Sequence, residues 1–213
     1  MNLADLRESY TKGGISKSEM LDHPIDQLAL WIEDARNASI PDPNAMTLST
    51  ANSQGIVSAR TVLLKGIKDR QLQFFTNYRS KKASDLEQNP HAAITFLWKE
   101  LERQVCIKGI VSKTDRIDSE QYAKSRPYDS QIGAWVSEKQ SSVIPDRSYL
   151  EERDHLLREQ FPESEAVPCP DFWGGFQITP THLEFWQGRR GRLHDRLLYR
   201  LEQSEWIIER LSP

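Results

Sequence analysis

Period-two alternation of apolar and polar side chains dominates the chain and predicts a mainly β protein with attached helices. Residues 24–39 are the first exception. There Leu28, Trp31, Ile32 and Ala35 follow helical spacing, Pro24 suits the first turn, and Pro41 and Pro43 stop the helix. Three β-like runs follow at 45–51, 57–67 and 71–76, separated by turns at 52–55 and 68–70. A short helix is expected over 81–88, ended by Pro90, then a pair of strands at 92–98 and 103–113. Asp118 with Gln121 resembles a capping box opening a helix that Pro127 ends near Arg126. A charged helix over about 149–161 leads into a connector containing Pro162, Pro168 and Pro170. The last strands are expected at 175–178, 182–186, 192–201 and 206–210. Strands joined by local turns, with few interleaved helices, indicate an antiparallel barrel and not a doubly wound sheet. Residues 1–20 are polar, broken by Gly13 and Gly14, and read as a mobile arm preceding one domain over 21–213.

Composition narrows the function classes. A net charge of -3 argues against a general nucleic-acid coat, so any anion site must be local. Cys106 and Cys169 are too few for a disulfide framework or a zinc cluster. The N-terminal residues lack an apolar run of signal-peptide length, and no run in the chain could span a bilayer as a helix. A cytoplasmic protein with no membrane partner is the expectation.

Against that mild acidity, residues 186–200 carry five arginines, one histidine and a single acid. As a strand, this segment would put Arg192, His194 and Arg196 on one face and Leu193 and Leu197 on the other. Stacked cations repel, which suggests a compensating anion; an exposed basic edge that blocks aggregation fits the same pattern. Residues 59–65 place Arg60 and Lys65 around a Val-Leu-Leu run, where solvated strand ends are the alternative. Residues 77–86 offer Ser80 as an N-cap with Lys81 and Lys82 in the first turn. Cations there oppose the helix dipole by about 0.3–1 kcal/mol each, and a phosphate would reverse that sign, unless the lysines simply bend into water. Tyr122 and Arg126 share a helical face, and Pro127 can return Ser130 towards them. That set suits a phosphate ester, or an ordinary helix end. Together the groupings suggest two phosphate sites, a larger phosphorylated cofactor and a smaller substrate, with Trp173, Phe185 and Trp186 as flat apolar surface. No GxGxxG or GxxxxGK[ST] loop is present.

Taken in order, LRESYTKGG (6–14), RTVLLK (60–65), FFTNYRSKKA (74–83), LERQV (101–105), SRPYDSQIGAWVS (125–137), KQSS (139–142), PDFWGGF (170–176) and FWQGRRGRLHDR (185–196) resemble the pyridoxine (pyridoxamine) 5'-phosphate oxidase family. The resemblance spans nearly the whole chain and implies an FMN-binding split β-barrel. It also implies a homodimer with FMN at the subunit interface. It puts Arg60, Thr61, Val62, Leu63, Leu64, Lys65, Phe75, Thr76, Lys81, Lys82, Gln104, Gln140, Ser141, Trp186 and Arg196 around FMN. It gives the substrate phosphate to Lys65, Tyr122, Arg126 and Ser130, the substrate ring to the catalytic residues Arg192 and His194, and closure over it to Arg7 and Tyr10. Two positions depart from the family pattern: Lys81-Lys82 where Arg-Lys is common, and Phe75 where a tyrosine is common. Lys81 keeps the charge without bidentate geometry.

The implied reaction is oxidation of pyridoxamine 5'-phosphate or pyridoxine 5'-phosphate to pyridoxal 5'-phosphate. Hydride leaves substrate C4' for FMN N5, oxygen is the acceptor giving hydrogen peroxide, and ammonia leaves from the amine. Another split-barrel flavin reductase would keep the FMN residues without needing Tyr122, Arg126, Ser130 and the RLHDR set. A non-catalytic FMN or pyridoxal-phosphate carrier would not bleach its flavin on meeting substrate.

Overall fold

The computed structural model describes residues 10–213. Its main sheet is antiparallel throughout and runs in the order β2-β1-β5-β6-β7-β4-β3. The elements are β1 (Ala45–Ala51), β2 (Val57–Leu63), β3 (Gly66–Lys68), β4 (Gln71–Asn77), β5 (His91–Trp98), β6 (Arg103–Lys113) and β7 (Trp173–Gln187). β2 and β3 stand at opposite ends of that order, yet only Leu64 and Lys65 separate them in the chain. Two residues cannot span a flat seven-strand sheet, so the sheet must curl until its ends meet. The Leu64 N–H donates to Asn44 O at 2.9 Å and the Lys65 N–H to Gln73 O at 2.8 Å, closing the curl from both sides.

β7 is where the barrel splits. Over its first six residues it pairs with β4, and over 182–187 with β8 (Asp195–Glu202), which pairs in turn with β9 (Glu205–Arg210). Two short strands at 175–178 and 182–186 were expected, and the structure joins them into the single strand β7. Pro180 lies opposite Gly109, where the β6–β7 register slips and a missing ladder donor is tolerated. The expected run at 57–67 breaks at the closure point, whereas 45–51, 81–88 and 103–113 match their observed elements.

Alternation does its expected work on the inner face. Met46, Leu48, Ile94, Phe96, Val105, Ile107, Leu183, Phe185, Leu197 and Tyr199 are buried there. Helix α1 (Pro24–Asn37) plugs this core through Ile25, Leu28, Trp31 and Ala35, with Trp31 edge-on to Phe185 at 5.0 Å. Helix α2 (Lys81–Gln88) follows β4, while α3 (Arg116–Ser125), α4 (Tyr128–Val136) and α5 (Ser148–Gln160) follow β6. Ala123, Ala134 and Trp173 form a second, smaller core with Phe75, Tyr122 and Phe172. α3 starts at Arg116, with Asp115 in the N-cap position. Asp118 forms no capping box and pairs with Lys68 at 2.8 Å. Among the described residues, no helix is long and apolar enough to cross a membrane.

Candidate active site

Between the barrel and the second core lies an open cleft of about 540 Å³. β2 supplies Arg60, Thr61, Val62 and Leu63, and the closure residue Lys65 follows. β4 supplies Phe75, Thr76 and Asn77, and α2 supplies Lys82. From the other side come Tyr122 of α3, Arg126, Ser130 of α4, and Gln140 beyond α4, with Trp173 also in the lining. Two groupings far apart in sequence therefore meet around one space. Phe75, Tyr122 and Trp173 stack nearly parallel, with Phe75 and Tyr122 ring centres 4.0 Å apart.

The cations of this cleft are short of acids. The Lys82 ammonium lies 3.1 Å from Thr76 Oγ1, 3.3 Å from Ser80 Oγ and 3.3 Å from Gln140 Oε1, all neutral acceptors. Burial, and next the neighbouring Arg60 charge, push its pKa down to about 8. Arg126 lies over the Trp173 ring at 4.7 Å, and its buried Nη1 has no hydrogen-bond partner among the described residues. Burial lowers the Arg126 pKa as well. Arg60 is tethered from behind: Nη1 donates to Thr50 Oγ1 at 2.8 Å and to Leu48 O at 3.2 Å, and Nη2 stands 4.0 Å from buried Asp85. Burial raises the Asp85 carboxyl, but hydrogen bonds from Lys81 and Thr50 outweigh it and hold the group low. An unpaired buried donor and a desolvated ammonium are what an anion-binding cleft presents before its anion arrives.

Not every expected residue faces this space. Lys81 turns away to pair with Asp85, so one of the two first-turn lysines is neutralised within its own helix. The Leu64 side chain is buried in the barrel core, and Ser141 is exposed in a left-handed backbone conformation (φ 73°) outside the cleft lining. Arg7 lies outside the described residues. Phe185 is wholly buried and offers no ligand surface. The sequence reading missed α4, whose Ser130, Gly133, Ala134 and Ser137 share one small-residue face lining the cleft; their i, i+3, i+4, i+7 spacing was the available signal.

Gln104, Trp186 and Arg196 form a second group, in cross-strand register on β6, β7 and β8. Their neighbours Val105, Phe185 and Leu197 are buried, so this group occupies the outward face of the sheet. Following the registers outward from Thr61 through Thr47, Thr95, Cys106 and Glu184 shows that Thr61 and Leu63 share that face. Four strand spacings separate β2 from β7, about 19 Å along the sheet. Arg196 is already paired: Glu184 accepts from Nε at 2.7 Å and from Nη2 at 3.0 Å.

The expected cationic strand face at 192–196 does not exist. Arg190–Arg192 is a 3-10 turn, Gly191 and Arg192 are both left-handed (φ 66° and 62°), and β8 begins only at Asp195. Two consecutive left-handed residues reverse the chain, so Arg192 and Arg196 cannot share a pleat, and Leu193 is 73% exposed. His194 survives as a candidate by another route. Its Nδ1 accepts the Arg189 N–H at 3.1 Å, which leaves the ring proton on Nε2. Its ring lies 4.7 Å from Trp186, and Tyr10 meets both rings edge-on at 5.5 and 5.4 Å.

The family described as "Pyridoxamine 5'-phosphate oxidase" matches residues 32–153, and that described as "Pyridoxine 5'-phosphate oxidase C-terminal dimerisation region" matches residues 173–213. A pyridoxine/pyridoxamine 5'-phosphate oxidase of Salinibacter ruber is 47% identical, over 99% of each chain. The crystal structure of PhzG from Burkholderia lata 383, in complex with tetrahydrophenazine-1-carboxylic acid, superposes with a TM-score of 0.89 at 26% identity. It covers 97% of this chain and 100% of that one. A pyridoxamine 5'-phosphate oxidase-related, FMN binding protein from Nostoc punctiforme has the same fold. There the TM-score is 0.73 at 19% identity, covering 91% of this chain and 100% of that one.

Proposed function

The chain belongs to the pyridoxamine 5'-phosphate oxidase family, and on that premise we propose that it oxidises pyridoxamine 5'-phosphate and pyridoxine 5'-phosphate to pyridoxal 5'-phosphate. FMN is the cofactor and oxygen the acceptor. The carrying observation is the cleft itself: two groups of desolvated donors, one around Lys82 and one around Arg126, converge on a single space into which none of the described lining residues brings a carboxylate. One phosphate on each group fits that donor set.

In this reading Arg60, Lys82, Thr76 and Gln140 hold the FMN phosphate, with Thr61, Val62, Leu63 and Phe75 supplying the walls. Tyr122, Arg126, Ser130 and Lys65 hold the substrate phosphate by charge-assisted and neutral hydrogen bonds. When bound, FMN supplies the redox chemistry, taking two electrons from substrate and passing them to oxygen. The protein fixes the substrate at both ends, which lowers the entropic part of the barrier. Arg192 and His194 are not in this cleft's lining and in this reading contact the substrate ring from a second copy; His194, with its proton on Nε2, donates to a ring substituent and orients it.

Gln104, Trp186 and Arg196 stand three, four and five strands from β2, about 14 to 24 Å along the sheet, too far for one flavin ring to touch both groups within one chain. A homodimer that lays this outward face over a second copy's cleft completes each site. The match to the dimerisation-region family over 173–213 supports that assembly. We assign the enzyme to the cytoplasm, in keeping with its two free thiols, Cys106 and Cys169.

Anaerobic mixing of the FMN-loaded protein with pyridoxamine 5'-phosphate tests the reading. Bleaching of the flavin absorbance, then recovery with peroxide on admitting air, is expected. A flavin that stays oxidised contradicts it.

A further inference from the structure

Residues 10–15 run beside the Trp186–His194 pair, and a carboxylate from the β5–β6 turn holds them there. Both oxygens of Glu102 stand 3.0 Å from the Thr11 N–H, and Oε2 also accepts the Lys12 N–H at 2.9 Å. A second acid, Asp195, accepts the Ile15 N–H at 3.1 Å while paired with Arg210 at 2.5 Å. Backbone N–H groups donating to a carboxylate are stronger than neutral pairs, and here they cluster within five residues.

The slot that receives Tyr10 is cut by a missing side chain. A Cβ on Gly188 would stand 2.7 Å from two atoms of the Tyr10 ring and 3.0 Å from Glu102 Cβ. The Gly188 N–H donates to Glu102 O at 2.8 Å, so slot and carboxylate are anchored to each other. Glu102 pays a conformational cost to stand there. It follows the 3-10 turn Lys99–Leu101 in the left-handed region (φ 53°), which glycine adopts without strain. None of the proposed chemistry uses its carboxylate.

We propose that Glu102 is a positioning residue for the oxidation: its carboxylate clasps the arm at Thr11 and Lys12 and so seats Tyr10 against Trp186 and His194. Its effect on turnover rests on the oxidase reading, whereas its effect on the arm does not. Asp195 is the second fastening, three residues further along the arm.

Glu102→Gly tests this without endangering the fold, because glycine suits the left-handed backbone. The full-length, FMN-loaded variant is compared with wild type for melting temperature, for tryptic cleavage after Lys12, for FMN affinity, and for KM and kcat with pyridoxamine 5'-phosphate. The clasp predicts an unchanged or higher melting temperature and unchanged FMN affinity. It also predicts cleavage after Lys12 about tenfold faster and a KM raised several-fold, with Glu102→Gln intermediate in both. Wild-type cleavage in Glu102→Gly would overturn the clasp. Faster cleavage with unchanged KM and kcat would overturn the positioning role. If wild type itself failed to oxidise pyridoxamine 5'-phosphate, the oxidase reading would fall, and the cleavage rates would still decide the clasp.

Discussion

In the cleft, Lys82 is surrounded by neutral oxygens and Arg126 carries a buried nitrogen without a partner among the described residues. Along 186–200, by contrast, Arg189 has Asp195, Arg196 has Glu184, and Arg200 has Glu202 and Glu209. Three of the five arginines in the arginine-rich segment thus have acids beside them, whereas Lys82 and Arg126 have none among the described residues. Glu184 reaches Arg196 from the neighbouring strand, and Glu209 reaches Arg200 from the strand on the other side. Density of positive charge along a chain therefore does not mark an anion site. Desolvated cations whose surroundings supply no acid do, because the fold bears their cost until a ligand is bound.

The contrast can be broken most sharply at Arg126. Truncating one partner of a buried charge pair costs about 2–5 kcal/mol, so Arg126→Met should lower kcat/KM for pyridoxamine 5'-phosphate by about a hundredfold or more. FMN affinity should stay unchanged. Steady-state kinetics with an FMN titration reads both, and a drop below threefold would return Arg126 to the ordinary helix-end reading.

Lys82→Met comes next. Losing a hydrogen bond from a charged group costs about 1.5–3 kcal/mol, so FMN should bind about ten- to a hundredfold more weakly. The FMN-free protein should melt no lower than wild type, since the substitution removes a desolvated charge. The same residue sets a pH dependence. With its pKa near 8 before FMN binds, Lys82 is charged below that value and neutral above it. Binding a phosphate favours the charged form, so FMN affinity should be level between about pH 7 and 8, where the FMN phosphate is already dianionic, and fall as pH rises beyond about 8. In Lys82→Met that fall should disappear.

The smallest effect is expected in the other region. Glu184→Gln removes the carboxylate from Arg196 on a partly exposed sheet face, where such pairs contribute about 0.2–1 kcal/mol. Thermal unfolding should show a shift of a few degrees at most. A large loss would mean that the pairing along this segment supports the fold.

Much of the barrel was legible because one face of each strand is buried: β1, α2 and β6 fall where alternation and punctuation put them. The continuity of β7 across Pro180 was not legible, because the register slip opposite Gly109 that accommodates the proline is a tertiary feature with no local signature. α4 was hidden by its amphipathicity, which is divided between a ligand-facing row and the small second core. In the candidate site, Arg60, Lys65, Lys82, Tyr122, Arg126 and Ser130 were named from residue type and family resemblance, and the structure gathers all six around one cleft. The strand face at 192–196 failed because Gly191 and Arg192 turn the chain, and the pairing of Lys81 with Asp85, one helical turn away, was not anticipated.

The central claim, that one cleft offers separate donor sets to two phosphates, is tested most directly by crossed titrations. FMN and pyridoxamine 5'-phosphate affinities are measured in wild type, Lys82→Met and Arg126→Met, with substrate titrated anaerobically into the FMN-loaded proteins. Lys82→Met should weaken FMN while the reloaded protein keeps its substrate affinity, and Arg126→Met should weaken substrate and leave FMN untouched. Loss of both ligands in each variant, or of neither, would contradict the account.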